Sequence, residues 1–88
     1  MVEKGLGSVG KVKIIKALAE ENKMATIYFL HQKTRLKRDD IKNNLRDLVQ
    51  IGWVNQSRYA NMMYSINSEN TYVSRFVGYM REVGYVSP

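Results

Sequence analysis

Leu36 to Val54 reads LKRDDIKNNLRDLVQIGWV. Its apolar residues Ile41, Leu45 and Leu48 fall at i, i+4 and i+7, the spacing of one helix face, so residues 38–50 are expected to form an α-helix. Gly52 follows as a residue able to take the left-handed backbone that ends a helix, with Ile51 and Trp53 expected to pack around the exit. Asp39 and Asp40 stand in the first turn, where the positive end of the helix dipole favours carboxylates.

The polar surface of that helix divides around the apolar stripe into two flanks. Arg38, Lys42 and Arg46 make a basic ridge, Asp40, Asn44 and Asp47 make the other flank, and Asp39, Asn43 and Gln50 lie between them, pointing outward. A basic ridge beside an amide-bearing edge suits phosphates and base edges together. An ordinary solvated face with i, i+4 charges has the same pattern, so the spacing alone leaves both readings open.

Working outward, Met24 to Thr34 reads as a shorter helix with Ile27, Leu30, His31 and Thr34 in one stripe and Thr26 as an N-cap, leaving Tyr28 and Phe29 outside the stripe. Ser8 to Asn22 reads as an amphipathic helix on Val12, Ile14, Ile15, Leu18 and Ala19, with Ser8 as a cap. Downstream, Trp53 to Ser57 and Met62 to Ile66 are rich in β-formers and flank a connection of Arg58, Tyr59, Ala60 and Asn61, which predicts a hairpin over about 53–66. A last helix is expected over about 68–83, capped by Asn67 or Ser68 and stopped by Gly84. The expected class is mainly α with a small β-hairpin, an α+β fold in one domain over residues 1–88.

The last helix carries two apolar stripes. Val73, Val77 and Met80 form one, and Tyr72, Phe76, Tyr79 and Val83 form the second. A small core needs one stripe, so the second predicts a homodimer contact through Tyr72, Phe76, Tyr79 and Val83. The other possibility is that a small domain wraps both stripes into a single core.

Composition narrows the chemistry. The absence of cysteine excludes disulfides and thiolate metal sites, and His31, the one histidine, has no carboxylate at i+3 or i+4 to share a metal. His31 is instead expected to make a hydrogen-bonded packing contact between the second and third helices. The segment GLGSVGK, Gly5 to Lys11, matches the spacing of two nucleotide-binding loops, yet no buried strand precedes it and Val12 stands where magnesium would need a hydroxyl. It reads as an arm leading into the first helix. No nucleophile is paired with a base, so neither an enzyme nor a cofactor is expected. No run approaches a membrane span and the N-terminus lacks an apolar leader, so the expected location is the cytoplasm.

Fourteen Lys and Arg against eight Asp and Glu give a net charge of +6 over 88 residues. Residues 33–58 hold seven of the bases and three of the acids, which concentrates the excess in the middle of the chain.

Taken in order, SVGKVKIIKALAEE, the short second helix, LKRDDIKNNLRDLVQIGWV and the hairpin ending YSIN resemble winged helix-turn-helix transcription regulators of the ArsR and MarR type, found in bacteria and archaea. The resemblance implies sequence-specific binding to double-stranded DNA. It places Arg38, Asp39, Lys42, Asn43 and Arg46 on the groove side of a recognition helix, Lys33, Arg35 and Lys37 on phosphates at the turn, and Arg58 and Tyr59 at the wing tip. Arg35 stands where the family's turn often has glycine, and His31 where a small residue usually lets two helices approach. The family's metal-sensing cysteine clusters are missing, so metal sensing does not carry over. A winged helix is also reused as a protein-interaction module in transcription or replication assemblies, and the apolar last helix with Tyr28 and Phe29 suits that alternative.

Overall fold

In the computed structural model, which describes residues 9–21, 24–58 and 60–86, the helix expected from the leucine spacing runs over Arg38–Gln50. Its stripe of Ile41, Leu45 and Leu48 is fully buried. The preceding helices cover Val9–Glu21 (α1) and Ile27–Thr34 (α2), so Arg38–Gln50 is α3. A hairpin of Val54–Arg58 (β1) and Met62–Ile66 (β2) follows, and Thr71–Glu82 (α4) closes the order. This is a winged helix-turn-helix arrangement of the α+β class.

The three N-terminal helices bury their stripes on one another. Ile14, Ile15 and Leu18 of α1, Leu30 of α2 and the α3 stripe form one cluster that continues through Val54 and Tyr64 of the hairpin to Val73, Val77 and Met80 of α4. An eight-residue helix such as α2 is too short to be stable in water alone, so it depends on that packing. Thr26 caps it, its Oγ1 accepting from the Phe29 N–H at 3.1 Å. Phe29 is half-buried against the core, whereas Tyr28 is exposed. The Ser8 cap of α1 and the end of that helix at Asn22 fall outside the described residues.

The turn between α2 and α3 is held by side chains. Arg35 has φ +64° and its N–H donates to the His31 carbonyl at 2.9 Å, so an arginine takes the left-handed position that ends α2. Thr34 Oγ1 donates to the Leu30 carbonyl at 2.6 Å and accepts from the Leu36 N–H at 3.2 Å. His31 lies 2.7 Å from the Leu36 carbonyl through Nδ1. A carbonyl only accepts, so the ring carries its proton on that nitrogen and bridges the end of α2 to the approach of α3. This is the packing role expected of His31.

The β1 strand pairs antiparallel with β2, Val54 opposite Ile66, Gln56 opposite Tyr64 and Arg58 opposite Met62. The strand begins one residue later than the sequence suggested, because Trp53 is held in the exit from α3, its N–H donating to the Leu48 carbonyl at 3.0 Å. Between α1 and α2, Ala25 pairs on the other edge of β2, exchanging backbone hydrogen bonds with Tyr64 at 2.7 and 2.8 Å. That bridge fastens the start of the helix-turn-helix to the wing.

Asn70, rather than Asn67 or Ser68, caps α4, its Oδ1 accepting from the Tyr72 and Val73 N–H groups at 2.9 and 3.2 Å. Asn67 and Asn70 instead both donate through Nδ2 to the Gly52 carbonyl, at 2.8 and 3.1 Å. Gly52 takes φ +80° and Gly84 φ +81°, the left-handed conformation expected at each helix exit. Phe76, expected in the second stripe of α4 as part of a dimer contact, is instead half-buried against the protomer's own core, its ring packing on Trp53 with centroids 6.0 Å apart. Ile51, expected to pack, is exposed. Among the described residues no helix is long and apolar enough to cross a membrane.

The Arg35 backbone generates a stability prediction. Glycine takes φ near +60° without the Cβ crowding that burdens arginine, so Arg35→Gly should raise the unfolding free energy by roughly 0.5–1 kcal/mol, and Arg35→Val should lower it. Urea denaturation of the three proteins checks the order.

Candidate nucleic-acid interface

The burial of Ile41, Leu45 and Leu48 fixes how α3 presents its polar residues. Arg38, Asp39, Asp40, Lys42, Asn43 and Arg46 are exposed, and Asn44 and Asp47 are half-buried. The Asn44 and Asp47 side faces α1. Lys11, which is only 6% exposed, donates from Nζ to Asn44 Oδ1 at 3.0 Å and lies 3.1 Å from Asp47 Oδ2. A lysine on the first helix therefore holds the acidic flank of α3 against the protein body. Asp40, the first residue of that flank, stays exposed near the positive end of the helix, where Lys37 offers no side-chain cap.

The opposite flank meets the hairpin. Lys42, Arg46, Val49 and Gln50 of α3 and Gln56, Met62 and Tyr64 of the hairpin line a concavity of about 390 Å³. Alternate residues of a strand share a face, so Gln56 carries Arg58 with it on the side that also bears Val54. The register confirms the set, since their partners Tyr64 and Met62 border the same groove. Two cations, two amides and the base of the wing thus converge on one trough.

Two of the exposed α3 bases are oriented by neighbours. Arg46 Nη2 donates to Asn43 Oδ1 at 2.7 Å, which presents the guanidinium and the amide as a unit. The Arg38 guanidinium lies over the Tyr28 ring, 5.6 Å from its centroid, and Gln32 donates to the Tyr28 hydroxyl at 2.8 Å. Tyr28 thus steadies the basic residue at the start of α3.

The remaining expected residues are less well gathered. Arg35 and Lys37 are exposed in the turn. Lys33 lies apart, in a second concavity of about 260 Å³ with Lys13, Lys16, Thr34 and Tyr85, where Lys16 is paired to Glu20 at 2.8 Å. Arg58 closes β1, and Tyr59 falls outside the described residues. Sequence reasoning missed Gln56 and Lys11. Strand alternation from Val54 would have found Gln56, whereas a lysine among the polar positions of an amphipathic helix carries no sign that it is buried.

Comparison with family models, with curated proteins and with solved structures finds no match to this chain.

The Lys11 tether gives an asymmetric prediction. Asp47→Ala removes a negative charge 3.1 Å from a buried ammonium, while Lys11→Met leaves a half-exposed carboxylate that water can solvate. Asp47→Ala should cost about 1–2 kcal/mol, between surface and buried ion-pair values, and Lys11→Met should cost less. Equal costs in chemical denaturation at neutral pH would contradict this account of the flank.

Proposed function

We propose that this chain is a winged-helix transcription regulator of the ArsR and MarR type that binds double-stranded DNA in a sequence-specific manner. It acts without a catalytic step, in the cytoplasm of an archaeon or bacterium, as a homodimer joined through α4. The observation that carries the reading is the trough between α3 and the hairpin, where Lys42, Arg46, Gln50 and Gln56 converge. An α-helix of this width fits the major groove, where guanidinium and amide groups match the edges of guanine and adenine. A wing beside it, ending in Arg58, suits the adjoining backbone. The tie of Asp47 to Lys11 supports the same polarity, because it draws an acid away from the phosphates.

In this reading Arg38, Lys42, Arg46 and Arg58 supply cationic contacts, Asn43 and Gln50 read bases, and Arg35 and Lys37 hold phosphates at the turn. Lys33, being in the second concavity, contributes long-range attraction only. Asp39, exposed in the first turn of α3, accepts from cytosine. The rival reading, a protein-interaction module, draws on the exposed Tyr28. Its contact with Arg38 favours the DNA reading, since it places the ring in service of a basic residue.

Titration into labelled duplex DNA at several salt concentrations tests the proposal. Lys42→Ala and Arg46→Ala should each weaken binding, and each lost phosphate contact should flatten the salt dependence by about one ion. Loss of a base contact should relax sequence preference instead. No binding at low salt, or unchanged binding by the double variant, would overturn the assignment in favour of a protein partner.

A further inference from the structure

α4 buries Val73, Val77 and Met80 and turns a wide face to solvent. Three large side chains on that face are mostly uncovered: Tyr72 is 74% exposed, Tyr79 60% and Val83 59%. Tyr85, just beyond the helix, is exposed as well. Arg75 and Glu82, seven residues apart, lie along the middle of the face beside this apolar edge. Among the described residues neither has an ion-pair partner within the protomer. Gly78, at the midpoint, has nothing within 4 Å of a built Cβ, so the protomer's own packing does not call for a glycine there. Mid-helix glycine costs about 1 kcal/mol relative to alanine.

We propose that the partner on this face is a second copy of the chain, docked with its α4 antiparallel, the two-fold axis passing between Gly78 and Tyr79. The inference rests on the homodimer reading above and adds its geometry. Charge order selects the orientation. A two-fold there sets Arg75 opposite Glu82 of the partner subunit and repeats that pair on the other side, so each charge meets its opposite. Tyr79 meets its own symmetry mate beside the axis, and Tyr72 packs toward the partner's Val83. Gly78 keeps the centre of the seam free of a side chain, which lets the backbones approach. A parallel pairing about a two-fold would set Arg75 against Arg75 and Glu82 against Glu82, a like-charge arrangement at both sites. The antiparallel pair is the isologous solution that this order of residues satisfies.

The experiment needs no DNA, so it separates this inference from the DNA-binding assignment. Sedimentation equilibrium of the full chain should show a dimer. Glu82→Arg should raise the dimer dissociation constant by about tenfold or more, as should Arg75→Glu, and the double charge swap Arg75→Glu with Glu82→Arg should restore dimerisation. All of these positions are exposed, and circular dichroism checks that each variant keeps its helices. Because the chain has no cysteine, single cysteines report orientation without background. Tyr79→Cys should form a disulfide-linked dimer on mild oxidation. Tyr72→Cys should not, since its copies lie at opposite ends of the seam, roughly 20 Å apart along the axes. A monomeric wild type, failure of the charge swap to restore the dimer, or equal cross-linking at both positions would overturn the proposal. Loss of DNA binding with an intact antiparallel dimer would overturn the functional reading alone.

Discussion

Burying Ile41, Leu45 and Leu48 is the constraint on which the other arrangements depend. A helix has one rotation that hides a given stripe, so once these three side chains enter the core the remaining positions have no freedom. Lys42 and Arg46 must border the hairpin, and Asn44 and Asp47 must border α1. The same burial brings α2 against α3 closely enough for His31 to reach the Leu36 carbonyl. Replacing a buried leucine by alanine typically costs about 2–5 kcal/mol, a large share of the stability of a domain this size. The apolar stripe thus sets both the fold and the direction in which charge is displayed.

Lys11 adds a local correction to that display. The net charge of +6 attracts a polyanion without orienting it. Orientation comes from unequal pairing of the charges. Lys11 sits against Asn44 and Asp47, removing one base from the surface and moderating one acid on α3. Arg46 instead pairs with a neutral amide and Arg38 with an aromatic ring, so both keep their full positive charge at the exposed flank. Counting charge along the chain concentrates the excess over residues 33–58, but Lys33 and Lys42 end in different concavities. Proximity in sequence therefore overstates the size of the basic site.

What was legible in the sequence follows from how each feature is encoded. The span of α3, the β2 strand and the glycine exits at Gly52 and Gly84 rest on local periodicity or on backbone preference, and all are found where expected. The bridge between Ala25 and Tyr64 had no such signal, because a single backbone pair needs no periodic pattern. Asn70 was missed as a cap since Asn67 and Ser68 offered the same chemistry nearby, and only the path of the chain from β2 selects among them. Phe76 fitted the outward stripe by spacing, yet Trp53 lies on that side and draws it inward. Arg35 is the clearest conflict between local preference and outcome. Its left-handed backbone is imposed by the closure between Leu30, His31 and Leu36, which outweighs the preference of an arginine for φ below zero.

The Gly52 carbonyl links the two proposed surfaces. It accepts from both Asn67 and Asn70, and Asn70 also caps α4 with its oxygen. One side chain therefore joins the exit of α3 to the first turn of α4, while Trp53 and Phe76 pack alongside. A Cβ at Gly52 would come within 3.4 Å of the Asn70 amide and would require a left-handed backbone, so both the glycine and the asparagine are specific to this junction. In a dimer joined through α4, the separation and tilt of the two α3 helices are transmitted through these contacts. A rigid junction costs little further ordering when both helices engage successive turns of a duplex, whereas a hinge would lose that ordering energy for each protomer. In the proposed dimer, the amide cluster at Gly52 would therefore be the place where the packing of α4 sets the spacing of the two α3 helices.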